Sequence, residues 1–214
     1  MINLDGLSAW AAVLRVGFAA VLAVGVLFSW APGAAAASLR AGPLVLTARL
    51  LASDNRTAPG GEQLFSSPAI SGGVAVAGAP WATVGSNQRQ GAVYVFTHND
   101  TSGVWTERTK LVPDDGGGGD GFGESIAICN GSAVVGAPYH QVGANPYQGT
   151  VYVFTGGGNH WAQTAELVDS GTGAYSELGL ESVAVAGPVA LVGEPSRSSQ
   201  GFSGAGIVGL FDDA

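Results

Sequence analysis

Three histidines and a run of acidic residues are the groups in this chain with chemistry to offer. His98, His140 and His160 fall in segments read as loops, and His98 and His160 precede Trp105 and Trp161, on one rim of successive units. Hydrolysis by an activated nucleophile needs a base and a group that orients it. The sequence holds no G-x-S-x-G elbow, no H-E-x-x-H and no Cys–His pairing. His140 and Glu194 are the best candidates for acid–base work. Cys129, closing Ser125-Ile126-Ala127-Ile128-Cys129, reads as a small hydrophobe in a strand. Asp114, Asp115 and Asp120 put three carboxylates around a run of four glycines that could hold a cation. The run is neither tandem nor in the register of a calcium repeat, so it reads as a solvated turn. No GK[ST] follows the glycines, which excludes a phosphate loop. The expectation is a protein with no catalytic residue, no metal ligand and no cofactor.

Binding chemistry has better material. Trp81, Tyr139, His140 and Tyr147 lie in the long loops 81–90 and 139–148, and a third loop spans 196–203. Aromatic and polar groups on loops suit a ligand-facing surface. Three N-x-[ST] sequons, at Asn55, Asn99 and Asn130, fall in turns and are candidate N-glycosylation sites.

The elements that carry these residues repeat. Gly78-Ala79-Pro80 recurs 58 residues on as Gly136-Ala137-Pro138 and, altered, 57 further on as Gly193-Glu194-Pro195. Gly91-Ala92-Val93-Tyr94-Val95-Phe96 returns as Gly149-Thr150-Val151-Tyr152-Val153-Phe154 and again as Gly206-Ile207-Val208-Gly209-Leu210-Phe211. Trp105 and Leu111 return as Trp161 and Leu167. Alternating apolar runs read as strands, and Asn130-Gly131 is a two-residue hairpin signal. Each unit holds four strands, about twelve in all, with no helix expected after residue 38. The repeats run about 44–103, 104–159 and 160–214. A four-stranded unit cannot bury both faces alone, and radial stacking of such units is the propeller solution.

Phe122-Gly123 followed by Gly136-Ala137-Pro138 resembles the signature of the FG-GAP repeat family. The second copy carries it whole. The first has Leu64-Phe65 in place of Phe-Gly, and the third has Leu178-Gly179 with Gly193-Glu194-Pro195. The resemblance spans about residues 44–211 and implies a β-propeller like the head of integrin α chains, extracellular or at the cell surface, that adheres or binds ligands. The family's calcium loop does not carry over. Its place holds Asn130-Gly131-Ser132, Gly72-Gly73 or Gly187-Pro188, too few oxygens for calcium.

The fold expected is all-β, a partial β-propeller of about three four-stranded antiparallel blades behind an N-terminal signal helix. Arg15, an apolar run over residues 16–28, a Pro32-Gly33 break and Ala35 and Ala37 read as a signal peptide, 1–37, leaving 38–214 as the repeat region. No later stretch is long enough to span a membrane. Eight Lys and Arg in 214 residues, against a net charge of −8, exclude a nucleic-acid binder. The function expected is a secreted or cell-surface, non-enzymatic binding or adhesion module whose partner is an extracellular protein or glycan. Self-association could complete the propeller. The alternatives are a secreted propeller hydrolase or lyase acting on carbohydrate, or a purely structural propeller fragment.

Overall fold

The computed structural model describes residues 46–54, 66–197 and 204–212. The chain divides into residues 1–45 and 46–214, and the fold described is that of the second unit. The signal segment 1–37, the sequon at Asn55 and Leu64-Phe65 lie outside the described residues.

Strands β1 (Ser66–Ser71), β2 (Val74–Ala79), β3 (Ala92–Asn99) and β4 (Val104–Leu111) form one antiparallel sheet in chain order. Strands β5 (Ile126–Cys129), β6 (Ser132–Ala137), β7 (Thr150–Gly157) and β8 (His160–Leu167) form a second sheet of the same order. Strands β9 (Val183–Ala186), β10 (Val189–Glu194) and β11 (Ile207–Phe211) form a third. The described residues thus hold eleven strands, four in each of two sheets and three in the last, where about twelve were expected. No helix occurs among them. Asn130 and Gly131, at φ 48° and 81°, make the expected two-residue turn between β5 and β6. Two histidines expected in loops are in strands instead. His98 pairs with Trp105 and His160 with Gly157, because the turns closing these hairpins are shorter than the polar segments that suggested them.

Period-2 alternation gives each sheet two faces. Val76, Val93 and Val95 of the first sheet pack on Ala133, Val135, Tyr152 and Phe154 of the second. Phe122 lies fully buried between them, edge-on to Tyr152 and Phe154 with 5.8 Å between centroids in each pair. Val134 and Val151 of the second sheet pack on Ala190 and Val192 of the third, and Leu178 takes the place of Phe122. On the equivalent face of the third sheet no described sheet packs, and Leu191, Val208 and Leu210 are exposed.

The glycines of the repeat motif meet between sheets. A Cβ on Gly78 would stand 2.0 Å from the Gly123 carbonyl oxygen, and one on Gly136 would stand 2.3 Å from that of Gly179. The glycines of Phe122-Gly123 and Leu178-Gly179 therefore lie backbone-to-backbone on the Gly-Ala-Pro glycines of the preceding sheets, an approach that any side chain would block. Hydroxyls reinforce the seam: Ser67 Oγ donates to the Glu124 carbonyl at 2.6 Å, and Ser125 Oγ to that of Gly179 at 2.6 Å.

Candidate functional site

The loop after each Gly-Ala-Pro strand is built on one frame, used three times. The amides of Ala82, His140 and Arg197 donate to the carbonyls of Ala79, Ala137 and Glu194. The amides of Gly91, Gly149 and Gly206 donate back to residues 82, 140 and 197. Buried Gln90 and Gln148 brace the first two loops, their side-chain oxygens accepting from Asn87 at 2.9 Å and Asn145 at 2.8 Å. Arg89, Tyr147 and Gly204 occupy one frame position, all left-handed, at φ 58°, 53° and 64°. For Arg and Tyr that backbone is strained.

The frame is constant and its side chains are not. In the first loop the Arg89 guanidinium lies over the Trp81 ring, 4.3 Å from its centroid. In the second, the same two positions are Tyr139 and Tyr147, which meet edge-on at 6.0 Å. Tyr175 stacks on Tyr147, 5.6 Å away and 11° from parallel. Tyr147 and Tyr175 are 46% and 62% exposed, so the row ends in open aromatic faces. Burial, with Glu124 and Glu177 nearby, pushes the Tyr139 phenol above its ordinary value. Tyr175 was not foreseen, although its backbone is strapped to the loop through the Pro146 carbonyl. Residue 175 lies between repeat motifs, so alignment of the copies did not single it out.

The acidic glycine run is solvated only in part: Asp114, Asp115, Gly118 and Gly119 are exposed, while Asp120 is buried. The amides of Gly119, Gly121 and Phe122 donate to the carbonyls of Gln88, Arg89 and Gln90, strapping the run along the first loop. Asp120 is buried, accepts the Gly117 amide at 2.7 Å and receives the His140 Nδ1 hydrogen at 2.8 Å. Asp115 accepts from the Tyr152 hydroxyl at 2.8 Å and lies 3.8 Å from His140 Nε2. Glu166 of β8 completes the group, one oxygen accepting from Thr150 Oγ1 at 3.2 Å. His140 is thus separate from the tyrosine row despite following Tyr139 in sequence. The Asp120 hydrogen bond holds its pKa above the ordinary value against burial, and Asp115 and Glu166 add to the rise. Burial and the bond to Asp115 push the Tyr152 phenol up strongly.

His140 and Glu194, paired as acid–base candidates, belong to different clusters. Glu194 is fully buried where the other copies have Ala79 and Ala137. Arg197 bonds Asp169 closely and reaches Glu194 Oε2 at 3.3 Å. Glu194 Oε1 has no hydrogen-bond partner among the described residues. Burial, and then Asp169, push the Glu194 carboxyl up to about 7. Of the described sequon asparagines, Asn99 is exposed and accepts from the amides of Thr101 and Ser102, and Asn130 is exposed in its hairpin turn.

Stacked antiparallel sheets, joined through paired motif glycines and carrying one loop frame on every copy, define a repeat protein of propeller-blade type. Residues 105–154 match the family model of the FG-GAP repeat, so the chain carries an FG-GAP repeat over that segment. The match opens at Trp105 in β4 and closes at Phe154 in β7, so the family unit straddles two hydrogen-bonded sheets. No curated protein matches the chain.

Proposed function

We propose that the protein is a secreted or cell-surface binding module without enzymatic activity, and that it holds an extracellular protein or glycan on the row Tyr139–Tyr147–Tyr175. The observation that carries this reading is the stack of two exposed tyrosine rings on a strained, braced backbone. Rigid aromatic faces supply contact area at low entropic cost, and strain held by surrounding structure is a mark of functional positions. The signal-like N-terminus and the repeat family support the extracellular setting. Cleavage after Ala37 predicts a secreted chain whose N-terminal sequence begins at Ser38; retention of residues 1–37 would contradict it.

The test is a glycan and extracellular-matrix array probed with the chain and with a Tyr147→Ser, Tyr175→Ser double variant. Binding by the chain, weakened at least about tenfold in the variant, is expected if the two rings act as an interface anchor. Equal binding by the two proteins would place the ligand elsewhere.

The second partner we propose is another copy of the chain, docked on the exposed face of Leu191, Val208 and Leu210. Their counterparts Val134 and Val151 in the second sheet, and Val76 and Val93 in the first, are all buried against the next sheet. Sedimentation should show concentration-dependent association that Val208→Lys with Leu210→Lys abolishes.

A further inference from the structure

We propose that Asp115, His140 and Glu166 form a binding site for a divalent transition-metal cation of the Zn²⁺ kind, on the outer part of the second sheet. One ligand atom from each lies within 4.8 Å of the others. They come from three separate elements: the glycine-rich segment, the loop after β6, and β8. The Asp120 oxygen that accepts the Gly117 amide also receives the His140 Nδ1 hydrogen. In the neutral imidazole that arrangement fixes the tautomer and leaves Nε2 as a lone-pair donor, the carboxylate–histidine pairing that orients metal-binding imidazoles. Tyr152 and Thr150 engage one oxygen each of Asp115 and Glu166, which leaves the second oxygen of each carboxylate.

The independent argument comes from the other copies. Leu50-Leu51-Ala52-Ser53-Asp54 aligns with Leu111-Val112-Pro113-Asp114-Asp115, and the Tyr94 hydroxyl holds Asp54 at 2.6 Å as that of Tyr152 holds Asp115. Lys110 stands opposite Tyr94 in the strand pairing where Glu166 stands opposite Tyr152. In the first sheet the Lys110 ammonium sits 2.9 Å from Asp54. In the third copy Arg197, at the frame position of His140, pairs with Asp169. Both neighbouring copies thus place a cationic side chain against their carboxylates. The second copy replaces Lys110 with a carboxylate, so a carboxylate faces a carboxylate beside an imidazole, and a bound cation restores the balance. An imidazole with two carboxylates suits a first-row transition metal, whereas Ca²⁺ takes six to eight oxygens. Three protein ligands leave coordination positions for water or for an acidic group of a partner.

The test is calorimetric titration of ZnCl₂ into the full chain, beside Glu166→Lys and His140→Ala. Each variant installs the residue that the first copy carries at that place, Lys110 or Ala82, and retained folding is checked by circular dichroism. Saturable binding of Zn²⁺ by the chain, weakened at least about tenfold in both variants, is expected from removal of a ligand. Absence of saturable binding, or wild-type affinity in Glu166→Lys, overturns the proposal. A second readout needs no variant. Zn²⁺ should shift the imidazole resonances of His140 before those of His98 and His160, and the reverse order contradicts the site.

Discussion

At the scale of single residues, the strongest statements concern side chains whose burial leaves no alternative. Phe122 is fully enclosed between two sheets and touches two aromatic rings. Phe122→Ala should cost about 3–5 kcal/mol of unfolding free energy, measured by denaturant titration. Glu194 gives a pH signature. Below its ordinary 4.5 both folded and unfolded states hold the proton. Between there and about 7 the unfolded chain releases it while the folded chain keeps it, so stability falls as pH rises, and above 7 the loss is complete. Glu194→Gln removes this dependence. The stability of the variant minus that of the wild type should grow by on the order of 3 kcal/mol between pH 4 and pH 8, read from thermal unfolding at each pH. A constant difference would show that the buried carboxyl does not titrate as described. Neither residue's environment was fully legible in the sequence. Phe122 was marked by its motif, but Glu194 read as an acid–base candidate in the altered motif, because nothing local shows that Arg197 and Asp169 close over it.

Among the elements, strands and hairpins were legible and the straps between them were not. Val-x-Val alternation and Asn130-Gly131 are local signals, and the strands lie where those signals put them. The Asp114–Asp120 segment was legible as an exposed turn but not as a strap, because its partners, the carbonyls of Gln88, Arg89 and Gln90, are distant in sequence. Asp115, Asp120 and Glu166 were missed as companions of His140 for the same reason. The replacement of Lys110 by Glu166, between aligned copies, was the one signal available. The glycine seam makes a prediction of its own. Gly136→Ala would set a Cβ 2.3 Å from a backbone oxygen of the next sheet and should cost about 2–3 kcal/mol or more. Gly85→Ala, left-handed at φ 61° but with nothing within 4 Å, should cost about 1 kcal/mol. Equal costs would mean that the seam relaxes freely.

For the whole molecule, the repeat period revealed the blade count and the stacking, since no four-stranded unit of this pattern can bury both faces. It did not reveal how function is distributed. The three copies share one loop frame and differ in what it presents: a Trp–Arg pair, a row of tyrosines, and a buried Glu–Arg–Asp cluster. The repeat supplies a common frame and the unlike residues differ in chemistry, and the proposed binding face lies on the second copy. Hydroxyl-radical footprinting of the chain, alone and saturated with a ligand found by array, tests that most directly. Protection of Tyr147 and Tyr175, with Trp105 and Trp161 unchanged, is the expected result. Tyr147 and Tyr175 equally reactive in both states, with protection elsewhere, would contradict the account.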